Sequence, residues 1–184
     1  MKIRLAQEQD LEAILEISNW AAMNTPANFA IEPESIESWR QNFEETSRMF
    51  PWMVATEEEV VIGFAKSSPW KGRCAYTWAA EVTVYIHPDH HGQRHGTTLY
   101  TRLIEILKAQ GYRTLLGGIT QPNEASVRLH ESMGFQKVSH FERIGWKFDQ
   151  WHDVGYWQLM LGESEKPPEP IKPVAQVSDI ECRL

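Results

Sequence analysis

The fold of this chain is decided by one stretch, which reads Glu81-Val82-Thr83-Val84-Tyr85-Ile86-His87-Pro88-Asp89-His90-His91-Gly92-Gln93-Arg94-His95-Gly96-Thr97. Residues 81–86 are mostly β-branched or apolar and predict a strand. The strand continues through a compact loop into a segment with helical periodicity. Because a loop at a helix start turns several backbone N–H groups toward one point, this stretch predicts a diphosphate-binding site.

The loop does not match the two commonest nucleotide-binding patterns. No Gly-Lys-Ser/Thr closes it, as a Walker loop requires, and its glycines lack the spacing of the dinucleotide fingerprint. On glycine spacing alone, a plain strand-to-helix turn remains the alternative. A metal site is another alternative, but only Asp89 offers a carboxylate among the neighbouring histidines, so we expect no metal; these histidines are His87, His90, His91 and His95.

Periodicities on either side of this stretch predict a mixed α/β domain with the order β-α-α-β-β-β-α-β-α-β-β. One helix is indicated by the spacing of Leu99, Leu103, Ile106 and Leu107, with Gly111 closing it. The expected elements are a strand at 2–5, helices at 8–22 and near 36–43, a hairpin at 52–56 and 60–66, a β-rich run at 75–86, a helix near 99–107, a strand at 113–119, a helix at 123–133 and strands at 135–142 and 154–161.

The bulk composition limits the partners and the compartment. A chain of 184 residues, 42% of them hydrophobic, suits a single domain, which we place at 1–161. The proline- and glutamate-rich residues 162–184 predict a disordered tail. A formal charge of −7 argues against nucleic acid, and no apolar run reaches the ~18–20 residues of a membrane span. Two cysteines, Cys74 and Cys182, make a disulfide framework improbable and favour the cytoplasm.

A second informative segment is the helix expected at 123–133. Asn123, Ser126 and His130 are spaced i, i+3, i+7 and so share one face. Asn123 could serve only as an N-cap, and Ser126 only as polar surface. An amide, a hydroxyl and an imidazole on one face, beside a phosphate-type loop, are better explained by a bound ligand.

The two segments together resemble the motifs of the GNAT acetyltransferase superfamily, and the resemblance covers about 2–161. That family combines a strand, an Arg/Gln-x-x-Gly-x-Gly/Ala loop, and an Asn-x-x-Ser helix ending in Gly-Phe. Further segments are similar to the phosphinothricin N-acetyltransferases: Pro69-Trp70-Lys71-Gly72-Arg73, Ala75-Tyr76, Glu81, Thr83-Val84-Tyr85, Ser126-Val127-Arg128-Leu129-His130-Glu131 and Trp151-His152-Asp153-Val154-Gly155. The resemblance implies a splayed mixed sheet flanked by helices, acetyl-CoA as co-substrate, and a homodimer.

The resemblance also implies a set of residues for acetyl-CoA. Backbone groups of Val84, Tyr85 and Ile86 would bind the pantetheine arm, and Asn123 and Ser126 would contact the pantetheine or the phosphates. The loop amides that would hold the diphosphate belong to His91, Gly92, Gln93, Arg94, His95, Gly96 and Thr97.

Two loop residues depart from the family pattern. His91 stands where Arg or Gln is usual, and Arg94 stands where Gly is usual. A glycine at the second position permits a backbone conformation that costs other residues free energy. Arg94 is therefore expected either to adopt that conformation under strain or to add positive charge to the phosphate cradle.

Acetyl transfer needs a proton acceptor, because amino groups attack only as the free base. Glu81 is the first candidate, since its apolar neighbours favour partial burial and a raised pKa. A solvent-facing glutamate is the alternative. By resemblance His130 is the second catalytic candidate, to protonate the thiolate, relay the substrate proton or orient the substrate. The alternative is a histidine that merely packs at the sheet edge.

The expected substrate is a small amino-acid-like molecule. Lys71 and Arg73 lie on one turn, where arginine can grip a carboxylate or phosphinate through two hydrogen bonds, although a solvated basic turn is the alternative. By resemblance, the pocket would also be lined by Phe29, Tyr76, Thr83 and Tyr85. Two other functions stay open: acetylation of a peptide or protein amine, and non-catalytic binding of acyl-CoA.

Overall fold

A computed structural model describes residues 1–162 and 167–177 and shows a seven-stranded mixed sheet with helices on both faces. The element order and the α/β class predicted from the sequence are confirmed. In chain order the elements are β1 (Lys2–Leu5), α1 (Leu11–Asn24), α2 (Ile36–Thr46), β2 (Trp52–Glu57), β3 (Val60–Pro69), β4 (Ala79–Ile86), α3 (His95–Gln110), β5 (Thr114–Gln121), α4 (Glu124–Ser132), β6 (Gln136–Lys147) and β7 (Gln150–Met160).

The main differences from the expected boundaries lie at the start of β4 and in the β6–β7 hairpin. The strand expected within 75–86 begins only at Ala79, because Cys74–Tyr76 forms a 3-10 turn instead. The last two strands are longer than expected and form one hairpin, whose turn places Phe148 and Asp149 at positive φ. Neither turn residue is glycine, so the usual hairpin signal is missing from the sequence.

The sheet has the strand order β1-β2-β3-β4-β5-β7-β6, and every neighbouring pair is antiparallel except β4 with β5. The parallel pairing of β4 with β5 is short and ends at Glu81 and Leu116. Both strands continue beyond that point, β4 to Ile86 and β5 to Gln121. They therefore diverge, which opens the sheet between them and gives the splayed arrangement that the resemblance implies.

The two faces of the sheet carry separate cores. One face packs against α3, whose apolar stripe predicted from the sequence is fully buried: Leu99, Leu103, Ile106 and Leu107. Val82 belongs to this core, and Val84 and Ile86 pack against it. The other face packs against α1 and α2 through a second cluster. Because side chains alternate along a strand, Glu81, Thr83 and Tyr85 face the α1 and α2 side.

The segment after β7 differs from the expected disordered tail at residues 167–177. The indole N–H of Trp78 donates to the carbonyl of Glu169 at 2.8 Å, and the amide of Lys172 donates to the carbonyl of Gln110 at 2.9 Å. Val174 and Val177 are both buried. Val177 belongs to the core on the α3 side of the sheet, a contact that the low apolar content of the whole tail does not indicate. Residues 163–166 and 178–184 of the expected tail lie outside the described residues.

None of the helices within 1–162 and 167–177 is both long and apolar enough to cross a bilayer.

Candidate active site

A cleft of about 630 Å³ lies where β4 and β5 diverge. Its walls are the end of β4, the loop that follows, the first turn of α3 and the start of α4. Many of the residues predicted to bind acetyl-CoA or substrate, or to take part in catalysis, line the cleft: Thr83, Val84, Tyr85, Ile86, His91, Gly92, Arg94, His95, Gly96, Thr97, Asn123, Ser126 and His130. The predicted residue Gln93 is exposed and does not belong to the lining.

The β4 wall of the cleft offers backbone groups to an extended ligand. Antiparallel pairing with β3 continues to the last residue of β4, Ile86, whereas pairing with β5 stops at Glu81. On residues 82–86, the strand edge that faces away from β3 therefore has no neighbouring strand and lies along the cleft. An edge of this kind can accept an extended chain as an additional strand, so it fits the pantetheine arm.

The loop before α3 supplies a helix start that faces the cleft. Helix α3 begins at His95, and both Gly92 and Arg94 adopt positive φ, of 80° and 62°. The Nε2 atom of His91 lies 2.9 Å from the carbonyl oxygen of Ile86, which holds the loop against the end of β4. Free N–H groups and the positive end of the helix dipole at this position suit a diphosphate.

Asn123 and Ser126 are tied together at the start of α4. The Oδ1 atom of Asn123 accepts a hydrogen bond from the Ser126 amide at 3.1 Å, so Asn123 is the N-cap of the helix. Both residues also line the cleft. The capping role and a role toward the ligand are compatible, and their contact with acetyl-CoA stays a prediction.

Glu81 lies at the point where the sheet opens. It is half-buried and hydrogen-bonded to the hydroxyl of Tyr156 on β7. Burial raises the pKa of the Glu81 carboxyl, and the Tyr156 hydrogen bond and the positive charge of Lys71 act in the opposite direction. Glu81 is not part of the cleft lining itself, but Val82 and Thr83, the next residues of β4, are. A carboxylate with these properties can act as a proton acceptor at the edge of the cleft.

His130 is placed differently from Glu81, on the α3 side of the sheet. Its Nδ1 lies 2.8 Å from the carbonyl oxygen of Ser126, and its Nε2 lies 3.0 Å from the hydroxyl of Tyr100. A Cβ atom on Gly117 would lie 2.5 Å from that same Nε2, so the ring packs tightly under β5. Burial lowers the pKa of His130. The geometry supports the packing alternative, and a catalytic role stays a prediction.

The predicted substrate residues are divided between the cleft and its surroundings. Thr83 and Tyr85 line it, and the Tyr85 hydroxyl donates to the carbonyl of Ala27 at 3.2 Å. Burial raises the pKa of Tyr85 to about 12. The other four predicted residues lie outside the cleft lining: Phe29, Lys71, Arg73 and Tyr76.

Among these four, Lys71 is connected to Glu81 by a chain of contacts. The Lys71 ammonium lies 4.8 Å from the ring centre of Trp70, and Trp70 packs edge-on against Tyr156 with centroids 5.1 Å apart. Arg73 and Tyr76 are exposed on the same turn. The structure thus brings one end of the predicted basic turn to the region of Glu81.

Two residues of this region were missed by the sequence analysis. Tyr156 faces Gly118 across the pairing of β5 with β7, and only that register places its hydroxyl beside Glu81. Lys147 is buried at the end of β6 and donates to the carbonyls of Ala22, Asn28 and Ala30. It thereby fixes the segment that carries Phe29. No local pattern marks either residue.

Comparison with known proteins agrees with this geometry. The acetyltransferase (GNAT) domain matches residues 3–155. The chain is 39% identical over 177 residues to the phosphinothricin N-acetyltransferase of Streptomyces viridochromogenes, covering 96% of both proteins. It is 33% identical to the L-methionine sulfoximine/L-methionine sulfone acetyltransferase of Salmonella typhimurium, covering 91% of this chain and 98% of that protein.

A solved structure is similar over almost the same range. The GNAT superfamily phosphinothricin acetyltransferase of Sinorhizobium meliloti, crystallised in complex with acetyl-CoA, superposes with a TM-score of 0.87 at 29% identity. The match covers 91% of this chain and 92% of that one. With the split sheet, the helix-start loop and a half-buried glutamate at the point of divergence, these matches show that the chain belongs to the GNAT acetyltransferase family and is an acetyl-CoA-dependent N-acetyltransferase.

Proposed function

We propose that this enzyme acetylates the α-amino group of a small amino acid with an anionic or strongly polar side-chain end. Phosphinothricin, methionine sulfoximine and methionine sulfone are the model substrates of this type, and they occur in the names of similar proteins. The observation that carries the proposal is the position of Glu81, a half-buried carboxylate at the point where β4 leaves β5. Resistance to the herbicide phosphinothricin would be a consequence of the activity.

The residues around the cleft fit acetyl-CoA, which supplies the acetyl group as a reactive thioester. The edge of β4 at 82–86 would bind the pantetheine arm, and the amides at the start of α3 would bind the diphosphate. The chain as a whole carries a charge of −7, so it does not attract an anionic ligand by its overall field. The local helix start and the side chain of Arg94 would provide that attraction instead.

Glu81 would accept a proton from the substrate ammonium group, which makes the nitrogen nucleophilic. The new bond would join that nitrogen to the acetyl carbon as the C–S bond breaks, and the second proton lost by the nitrogen would convert the leaving thiolate of coenzyme A into the free thiol. A carboxyl whose pKa is raised by burial is a stronger base than an exposed one, and this favours proton transfer near neutral pH. Tyr156 would orient the carboxylate through its hydrogen bond and limit the rise of the pKa.

The basic turn beside Glu81 would recognise the anionic part of the substrate. The charge of Lys71 already acts on the Glu81 carboxyl, so it lies within electrostatic reach of a substrate held there. Arg73, Tyr76 and Phe29 remain predicted contacts of the same pocket. Since these groups select a carboxylate or a phosphinate, free amino acids are favoured over peptide amines.

The β6–β7 hairpin supports a homodimer, and the cysteine usage supports the cytoplasm. Six large apolar side chains of the hairpin are between 44% and 56% exposed: Val138, Phe141, Ile144, Trp146, Phe148 and Trp151. A concentration of exposed apolar side chains on one hairpin indicates a candidate interaction site. Cys74 is a free, exposed thiol, which suits a reducing compartment.

The test is an assay of thiol release with acetyl-CoA and a panel of amines. The panel contains phosphinothricin, methionine sulfoximine, methionine sulfone and a short peptide with a free N-terminus. We expect turnover with at least one of the amino acids and a fall in kcat of about 10²–10⁴-fold in Glu81→Gln, which keeps the shape but cannot accept a proton. The exposed residue Glu44 gives the matched control Glu44→Gln, with unchanged kcat.

Two results would contradict the proposal. Acetylation of the peptide alone would assign the enzyme to peptide amines. Full activity in Glu81→Gln, with a normal thermal unfolding curve, would remove the proposed base.

A further inference from the structure

Three potential metal ligands converge beside the loop that precedes α3. Glu57 ends β2, His90 lies in the short turn after β4, and His95 is the first residue of α3. One ligand atom from each lies within 4.8 Å of the others. The sequence showed the histidines but not Glu57, which reaches them only through the folding of β2 beside β3.

The distances from the Glu57 carboxylate to the two imidazoles exceed those of hydrogen bonds. Glu57 Oε1 lies 3.5 Å from His95 Nε2, and Glu57 Oε2 lies 3.6 Å from His90 Nδ1. Hydrogen bonds between nitrogen and oxygen usually span about 2.7–3.2 Å. Ligands of a tetrahedral Zn²⁺ site lie roughly 3.3 Å apart, given Zn–N and Zn–O bonds of about 2.0–2.1 Å. The two distances from the Glu57 carboxylate are therefore close to the ligand spacing of a zinc site, and the remaining pair of ligand atoms lies within 4.8 Å.

His95 provides an independent observation. The residue is only 9% exposed, and its Nε2 is buried without a hydrogen-bond partner among the described residues. A buried ring nitrogen without a partner costs free energy, so such atoms are rare in folded proteins. The same Nε2 is the atom that points toward Glu57. A bound cation would satisfy it.

We propose that Glu57, His90 and His95 bind one Zn²⁺ ion, with water completing the coordination shell. Two imidazoles and one carboxylate are a donor set that zinc favours. The ion would tie the end of β2 to the loop and to the first turn of α3. With one carboxylate in the site, the bound ion leaves a net charge of +1 beside the cleft, since both histidines bind as neutral rings.

The ion has a second consequence, which rests on the proposed role of the loop in holding the diphosphate. His90 and His95 also line the cleft, so a fixed loop and an added positive charge would favour an anionic ligand there. We expect Zn²⁺ to lower the Kd of coenzyme A several-fold. Zinc binding itself does not depend on this role.

The experiment uses the full-length protein without a histidine tag, treated with a chelator and then dialysed. Calorimetric titration with Zn²⁺ alone should give one ion per chain, and Co²⁺ substitution should give the visible absorption of a tetrahedral site. Glu57→Gln and His95→Gln should each weaken zinc binding by at least tenfold, on the order of the losses known for altered metal sites. Zn²⁺ should raise the Tm of the original protein and not that of the variants.

Two further variants serve as controls for folding and for specificity. His90→Gln alters the half-buried ligand in the turn and should lose zinc binding even if His95→Gln fails to fold. His140 pairs with Asp153 on the far hairpin, so His140→Gln should bind zinc like the original protein.

The outcomes separate the site from its consequence. Absence of Zn²⁺ binding at micromolar concentrations, or equal binding by the original protein, Glu57→Gln, His90→Gln and His95→Gln, would overturn the site. Specific binding with an unchanged Kd for coenzyme A would overturn the effect on the loop and confirm the site. Neither result bears on Glu81, so a failure here is distinguishable from a failure of the proposed function.

Discussion

Arg94 is one of six non-glycine residues with positive φ in the described part of the chain, and it lies in the loop that lines the cleft. Its φ of 62° lies in the left-handed region, which suits glycine and costs other residues free energy. The departure of this position from the family pattern indicated such a conflict from sequence. The loop keeps the backbone conformation that the family glycine permits and carries a cation at the wall of the cleft.

Replacing Arg94 by glycine should therefore stabilise the fold and weaken the cofactor site. We expect Arg94→Gly to raise the free energy of unfolding by about 0.5–1 kcal/mol, since relief of the strained φ exceeds the added freedom of the unfolded chain. The KM for acetyl-CoA should rise several-fold, because a cation is lost. Urea denaturation and initial rates measure the two effects. Arg94→Ala should raise KM without the gain in stability, and an unchanged KM in both variants would show that the charge is not used.

With Glu81 as the proposed base, Tyr156 should affect the pH dependence of the reaction, because it acts on the pKa of Glu81. A general base works only when deprotonated, so kcat/KM should rise with pH through the pKa of Glu81 and then level off. The Tyr156 hydrogen bond lowers that pKa. Tyr156→Phe should therefore move the acidic limb of the kcat/KM profile to higher pH. Tyr112→Phe removes a hydroxyl that bonds to the carbonyl of Met49 and should leave the limb in place. If the acidic limb stays at the same pH in Tyr156→Phe, Tyr156 does not influence the pKa of the proposed base.

At the scale of secondary-structure elements, residues 167–177 act as a strap across one end of the domain. The amide of Val174 donates to the carbonyl of Arg48, and its side chain is buried. Gln110, at the end of α3, donates through its side chain to the carbonyls of Met49 and Lys172. The strap thus joins α3 to the segment before β2.

Loss of apolar contact within the strap should destabilise the whole domain. Val174→Ala removes the two buried γ-methyl groups of the side chain. We therefore expect a loss of about 1–2 kcal/mol in the free energy of unfolding. Urea denaturation at constant m-value measures it. Val60 is exposed on β3, and Val60→Ala should change stability by less than about 0.5 kcal/mol. Equal values for the two variants would mean that the strap adds no stability.

For the molecule as a whole, the β6–β7 hairpin carries a group of exposed large apolar side chains. Trp146 and Trp151 are direct cross-strand partners and pack edge-on with ring centroids 5.4 Å apart. Both are more than half exposed. The hairpin lies at the edge of the sheet, where β6 is the last strand. Apolar side chains at an edge strand favour association with a second copy.

Light scattering after size-exclusion chromatography tests the proposed dimer. The original chain should elute with the mass of a dimer, and Trp146→Glu should elute as a monomer, because a charge introduced among these apolar side chains must be desolvated on association. Val60→Glu places the same charge on another exposed position and should leave the dimer intact. A monomeric original protein at micromolar concentration would contradict the dimer.

Sequence reasoning succeeded where the signal is local. The helical stripe from Leu99 to Leu107, the end of its helix at Gly111 and the strand-loop-helix order at 81–97 follow from spacing and turn chemistry within a few residues. The burial of Glu81 and the raised direction of its pKa were also expected from its neighbours on β4. These features predict the fold class and the position of the loop that begins α3.

What the sequence determined by itself is the order of the elements, the loop that begins α3 and the partial burial of Glu81. Only the tertiary structure decided that Tyr156 meets Glu81, that His130 packs beneath Gly117, and that Glu57 joins His90 and His95. The physical reason is that periodicity assigns a side chain to a face of its own element, whereas its neighbours depend on strand order and register. Those are set by the packing of the whole core, to which every element contributes at once.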